Sequence, residues 1–247
     1  MLNYETDGRG APLLLIHGFG ISFNIWQNLR PLLRDHFTLI MVELPGIGSS
    51  PEPSPHLDYL ASAVEGLEQV RSALEIDRWH VLSYSTGARV GERYVLENAD
   101  RVARAVFLCA ACTDVWKARA AGFALGLDSY TPWLGDWALS GWRLKGLINI
   151  FGFSLKPSPY LHAWTNEVGS QSVRILKATL RSLPENGAAP IPPMSVPALI
   201  VRGTQDWITV PPRHPAEQDR LIRAAHSAPV TDAAQVADVV LPFLLQN

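Results

Sequence analysis

A chain of 247 residues with 47% hydrophobic and 18% charged positions has the apolar material for one large domain, or one domain carrying an insertion, and is not disordered in character. Its formal net charge of −2, with no run of basic residues, excludes the positive surface that a nucleic-acid backbone demands. No basic segment precedes the first apolar run and "PLLLI" is too short to span a bilayer, so no membrane span is expected and the chain reads as cytoplasmic.

In chain order, the first strand signal is "APLLLIHG", an apolar run closed by His17-Gly18-Phe19-Gly20. A helical pattern follows over roughly Trp26 to Leu33, and then a second buried strand, "FTLIMVELPG", in which Glu43 is expected to brace the turn at Gly46 and Gly48. Apolar spacing of three to four predicts a helix from Tyr59 to Leu74. "WHVLSYS" is the next strand, running directly into a helix from Gly87 to Asn98, and "AVFLCAA" is the strand after that. This alternation implies a mostly parallel sheet with helices on both faces.

The two cysteines, Cys109 and Cys112, have a C-x-x-C spacing in "FLCAACTD". With no second Cys or Cys/His pair in the chain, they read as a buried strand and its exit rather than as a zinc or redox motif. The seven histidines have no metal-site spacing with one another.

The rhythm breaks between about Asp114 and Pro190, a stretch without a strand signal that holds Trp116, Trp133, Trp137, Trp142 and Trp164. This is read as a helical insertion, 114–190, between two halves of a core, 1–113 and 191–247. Its last helix is expected from Asn166 to Leu183, with Val173, Leu176, Leu180 and Leu183 on one face, before the Pro-rich return "PENGAAPIPPMSVP". "PALIVRGT" restores the strand pattern. Asp206 follows at its end, and His226 precedes a final helix.

The chemistry centres on "SYSTG", where a strand turns into a helix around Ser85. The pattern fits the G-x-S-x-G nucleophile elbow with Ser83 in place of the first glycine. The turn needs small neighbours because the nucleophile's backbone is forced into a strained region, and Ser83 and Gly87 meet that need. The backbone N–H groups of Phe19 and Thr86 are candidates for a two-donor oxyanion hole. Ser85, Asp206 and His226 occur in the chain order expected of a nucleophile, an acid and a base on such a sheet.

Taken together, the oxyanion loop, "ELPGIGSS", the elbow, the acid and the histidine resemble the α/β-hydrolase superfamily over essentially the whole chain. The resemblance implies an α/β fold with a mostly parallel twisted sheet flanked by helices, and a helical cap formed by the insertion. It further implies a carboxylesterase-like serine hydrolase in which Ser85 attacks, His226 is base and then acid, and Asp206 orients the imidazole. The serine-nucleophile chemistry that the resemblance implies requires no metal or organic cofactor. The expected partner is a small, partly hydrophobic substrate, with Tyr84, Trp207, Trp133, Trp137 and Arg89 as candidate contacts. Asp114 is a rival for the acid and His214 for the histidine. "YSTGARV" also resembles the elbow of the menaquinone-pathway synthase, a lyase of this fold, in which Arg89, assisted by a cap arginine such as Arg119, would hold a carboxylated substrate. Carbon–carbon bond hydrolysis and a low-turnover binding protein stay open as further readings. Acyl length and oligomeric state are not legible in the sequence.

Overall fold

The structure, a computed structural model, describes residues 1–54, 56, 58–110, 131–139, 143, 161–182, 191–209, 217 and 219–246. Seven strands form one sheet: β1 (Tyr4–Gly8), β2 (Ala11–Ile16), β3 (Phe37–Val42), β4 (Trp79–Tyr84), β5 (Val102–Leu108), β6 (Ala198–Gly203) and β7 (Asp219–Ile222). Their order is β1-β3-β2-β4-β5-β6-β7, and every pairing is parallel except β1 with β3. The continuous apolar runs of β2, β3, β4 and β5 are buried on both faces, as crossover helices require. Two apolar clusters result, one on each side of the sheet. Leu13, Leu15, Met41, Leu82 and Val106 point to one, and Leu14, Ile16, Ile40, Val81 and Ala105 to the other.

The helices are α1 (Arg30–Leu33), α2 (Tyr59–Ala73), α3 (Gly87–Glu97), α4 (Pro132–Ala138), α5 (Leu161–Ser170), α6 (Val173–Arg181), α7 (Ala228–Thr231) and α8 (Ala233–Leu244). Asp58 starts α2 by accepting the Ala61 N–H at 2.8 Å, a side-chain cap that relieves one orphan donor of the first turn. Helix α8 packs its apolar face, including Val236, Val240 and Leu244, into the same cluster as Leu33 and Leu39. The described helices between β5 and β6 are α4, α5 and α6, the helical cap of the fold. Lys177 of α6 ties α4 to it, bonding to the Pro132 carbonyl at 3.1 Å and pairing with Asp136.

Three expectations from the sequence change. The helix expected over Trp26 to Leu33 is a 3-10 turn (Phe23–Trp26) followed by the four-residue α1, with Pro31 in its first turn. The single helix expected from Asn166 to Leu183 is two helices, broken at Gln171 and Ser172. Gly169, Ser170 and Ser172 of "GSQS" are weak helix formers, and Ser172 starts the new helix in an extended conformation. On α6 the buried side chains are Ile175, Leu176, Lys177 and Thr179, whereas Val173 and Leu180 are only half-buried. Edge strands β1 and β7 carry too few apolar residues to give a periodic signal and were not expected as strands from "YETDG" and "DRLI".

Leu15 lies at the centre of the sheet with none of its surface exposed. Leu15→Ala is expected to lower unfolding free energy by about 2–5 kcal/mol through lost transfer energy and a residual cavity, read as a lower urea midpoint at unchanged slope.

Candidate active site

Strand β4 is the middle strand of the seven, and its C-terminal end delivers Ser85. The residue sits at φ +55, a left-handed conformation that costs a non-glycine residue about 1–3 kcal/mol and persists only where surroundings over-determine it. Those surroundings are hydrogen-bonded on both sides: the Ser85 N–H donates to the Leu108 carbonyl at 3.0 Å, and its own carbonyl accepts the Ala88 N–H at 3.0 Å.

Close packing explains the small residues of "SYSTG". A Cβ on Gly87 would stand 1.9 Å from the His17 carbonyl oxygen, so α3 can start against the loop after β2 only without a side chain there. Ser83, the departure from the elbow pattern, is accommodated by Gly91 one turn into α3, where a Cβ would stand 2.6 Å from the Ser83 hydroxyl. That hydroxyl donates to the Val106 carbonyl at 3.2 Å, so the buried polar atom is satisfied.

Ser85, His226 and Asp206 meet at the C-terminal edge of the sheet. The Ser85 Oγ lies 2.7 Å from His226 Nε2, and His226 Nδ1 lies 2.8 Å from Asp206 Oδ2. All three are buried. Asp206 also accepts the backbone N–H groups of Ile208 and Thr209, each at 2.8 Å, and the Thr209 hydroxyl. Burial alone would raise its pKa, but the His226 ring and the Thr209 donors outweigh it and hold the carboxyl below its usual value. A carboxylate against Nδ1 makes that nitrogen the donor, leaving Nε2 to accept from the serine hydroxyl.

The loop after β2 abuts the elbow. A Cβ on Gly18 would lie 3.0 Å from Ser85 Cβ, and half-buried Phe19 follows. Thr86 stands at the N-terminus of α3 in helical conformation, where backbone N–H groups lack intrahelical partners. Its buried hydroxyl has no hydrogen-bond partner among the described residues. His17 holds this loop to the rest of the sheet in a way its spacing did not reveal. Its Nε2 accepts the Leu44 N–H at 2.8 Å, so Nδ1 carries the proton and donates to the Gly18 carbonyl at 2.9 Å. Burial of the ring pushes its pKa down to about 4, against a small opposing effect of the Gly18 carbonyl. Glu43, on the same side, accepts the Ser49 N–H at 2.7 Å and an Asn3 Nδ2 proton at 2.8 Å, bracing the turn that contains Gly48.

The remaining candidates separate. Tyr84 was a candidate substrate contact, but its ring is buried with 1% exposed. Its hydroxyl donates to the His226 carbonyl at 2.7 Å, and its ring packs against both Trp26 and His226, so it supports the histidine loop from behind. Arg89 is also buried and forms an ion pair with Glu92 on its own helix. Trp133 and Trp137 of α4 are 68% and 52% exposed, with the Arg143 guanidinium 4.2 Å above the Trp137 ring. Trp207, beside Asp206, is half exposed. The rivals Asp114 and His214, and also Cys112, Trp116, Arg119 and Trp142, lie outside the described residues.

Cys109, which its spacing placed in a strand exit, is fully buried at φ +45, with its sulfur in a group with Asp206 and His226 whose ligand-type atoms lie within 4.8 Å of one another. Burial, reinforced by the Asp206 charge, pushes its thiol pKa well above the ordinary value. A cavity of about 390 Å³ lies between Asn24 and Ile25, Trp164 and Glu167, and Val230 of α7, and its lining includes none of Ser85, Asp206 and His226.

Residues 11–137, just over half of the chain, match the model of the alpha/beta hydrolase fold family. The chain belongs to the α/β-hydrolase family. Among curated α/β-hydrolase relatives, a fluoroacetate dehalogenase from Burkholderia sp. is 33% identical over 106 residues, and a soluble epoxide hydrolase from Corynebacterium sp. (strain C12) is 35% identical over 107. These matches cover 41% and 43% of this chain but only 34% and 37% of the relatives' own lengths. A pimeloyl-[acyl-carrier protein] methyl ester esterase from Aeromonas hydrophila is 24% identical across 98% of this chain and 99% of its own. Among solved structures, a thermophilic esterase from Thermogutta terrifontis superposes with a TM-score of 0.79 at 20% identity, covering 98% of this chain and 92% of that one, a likeness of fold. No helix among the described residues is long and apolar enough to cross a membrane.

His17 makes stability pH-dependent. In the unfolded chain it binds a proton near its ordinary pKa of 6.5, whereas the folded ring resists protonation until about pH 4. The unfolded state therefore carries more protons between those values, and stability falls as pH drops from 6.5 to about 4, by about 3 kcal/mol at 1.36 kcal/mol per pKa unit. His17→Gln is expected to flatten this part of the urea-midpoint profile. The loss due to protonation of Asp206, whose folded pKa lies below 3.8, begins near the lower end of that window and extends below it.

Proposed function

We propose that this α/β hydrolase is a serine esterase that cleaves a carboxylic ester with a hydrophobic portion through an acyl-enzyme intermediate. The observation that carries this reading is the hydrogen-bonded chain from Ser85 Oγ through His226 to Asp206. In the first step, Ser85 Oγ attacks the ester carbonyl carbon while its proton passes to His226 Nε2. The imidazolium so formed is stabilised by the Asp206 carboxylate, which its donors keep ionised. The carbonyl oxygen becomes an oxyanion facing the N–H groups of Phe19 and Thr86, at the start of α3 where the helix dipole also favours negative charge. Collapse of the tetrahedral intermediate returns the proton from His226 to the leaving alcohol. Water, deprotonated by the same nitrogen, then attacks the acyl-serine and frees the acid.

The nucleophile supports ester chemistry over the alkyl transfer of the dehalogenase and epoxide-hydrolase branches, which place aspartate at the elbow. Arg89 weighs against the lyase reading, because its guanidinium is buried in an ion pair with Glu92 on its own helix. A relative that aligns across nearly the whole chain is a pimeloyl-[acyl-carrier protein] methyl ester esterase, which agrees with the ester reading. No cofactor takes part in this scheme.

Hydrolysis of p-nitrophenyl esters from acetate to laurate tests it. Wild-type protein is expected to turn over at least one chain length, and Ser85→Ala to lower kcat by about three orders of magnitude or more while remaining folded. Equal turnover by the two would overturn the assignment of Ser85. No turnover by a folded wild type on any chain length would count against the esterase itself.

A further inference from the structure

The loop that carries Phe19 is gripped from the cap. Ser22, three residues beyond Phe19, is 3% exposed and opens the 3-10 turn Phe23–Trp26, where its hydroxyl accepts the Asn24 N–H at 3.3 Å. Its own N–H donates to Glu167 Oε1 of α5 at 2.8 Å, a contact between positions 145 residues apart, and Asn24 Nδ2 reaches the same oxygen at 3.5 Å. A buried N–H without an acceptor would be costly, and a carboxylate is a stronger acceptor than a neutral oxygen. Beside this bond, Gly20 sits at φ +64 with no room for a side chain. A Cβ there would stand 2.9 Å from both Val168 of α5 and Leu176 of α6, which are themselves fully buried in the cluster containing Tyr84 and Leu15. Glu167 is thus anchored by its neighbour Val168 in the main core, while its carboxylate faces the oxyanion loop.

We propose that Glu167 is a positioning residue for catalysis, which sets the direction of the Phe19 N–H by fixing the backbone at Ser22. The inference rests on the serine-esterase reading of Ser85, Phe19 and Thr86. Glu167 acts through the loop and touches no reacting atom. Its loss therefore weakens stabilisation of the oxyanion in the transition state more than it weakens substrate binding.

The test uses full-length protein and two readouts: steady-state hydrolysis of a p-nitrophenyl ester, and the second-order rate at which a fluorophosphonate labels Ser85, followed by mass spectrometry. In labelling, Ser85 Oγ attacks phosphorus, fluoride leaves and the serine proton passes to His226, with the phosphoryl oxygen drawing on the same N–H donors. Glu167→Ala is expected to slow labelling and lower kcat by about tenfold or more, with KM changed by less than about twofold. Glu167→Gln, whose amide oxygen can accept the Ser22 N–H, is expected to stay within about threefold of wild type. Glu167→Asp withdraws the carboxylate by one methylene and is expected to behave like the alanine variant, which decides the matter should alanine fail to fold. Wild-type rates in folded Glu167→Ala or Glu167→Asp, or a glutamine variant as slow as alanine, would overturn the proposal. So would a loss that only tracks the folded fraction measured by circular dichroism. Failure of folded wild-type protein to label at Ser85 would instead overturn the esterase reading, and this inference with it.

Discussion

The contact on which the site depends is the one between the start of α3 and the end of β2, where Gly87 lies against the His17 carbonyl at a distance no side chain could tolerate. That approach forces the chain to turn sharply after β4, and the sharp turn puts Ser85 at φ +55 with its hydroxyl clear of the sheet. The strain is sustained because the flanking strands are held in register by a parallel ladder whose side chains are buried on both faces. Ser83 is tolerated in place of glycine for a complementary reason. Gly91 leaves it space and Val106 gives its hydroxyl an acceptor, so the demand for small volume is shared between two turns of structure.

A second constraint is electrostatic. Water is largely excluded from the region around Asp206, yet the proposed chemistry needs a carboxylate there. Two backbone N–H groups, the Thr209 hydroxyl and the His226 ring supply the compensation that bulk water would otherwise provide. His17 meets burial in the opposite way. No ion pair to it is seen among the described residues; burial keeps the ring neutral, and both of its nitrogens are spent on backbone partners. Two buried groups thus differ in ionisation because one is surrounded by donors and paired with an imidazole, and the other sits between one donor and one acceptor.

The cap and the core are not separable in this molecule. Ile175 of α6 packs into the space left by Gly46 after β3, and Val168 and Leu176 into the space left by Gly20 after β2. Two loops at the C-terminal edge of the sheet therefore meet α5 and α6 at positions that lack side chains. The cap's placement is consequently tied to the loops that surround Ser85, and its helices contribute to the same apolar cluster as the strands.

The amino-acid sequence by itself determined the class of fold and the residues of the candidate site. Buried parallel strands leave unbroken apolar runs, and a strained turn leaves small residues around a serine, so both are written locally. β1 and β7 escaped notice because edge strands need little apolar surface, and their pairing comes from a neighbour rather than from their own pattern. Only the tertiary structure decided that Tyr84 backs the histidine loop, that Cys109 lies beside Asp206 and His226, that the His17 ring ties β2's exit to Leu44, and that Glu167 reaches Ser22. Each of these is a contact between residues distant in the chain or between a side chain and another segment's backbone. Side-chain type and spacing carry no record of such a partner, because it is chosen by where the sheet and helices bring separate segments together.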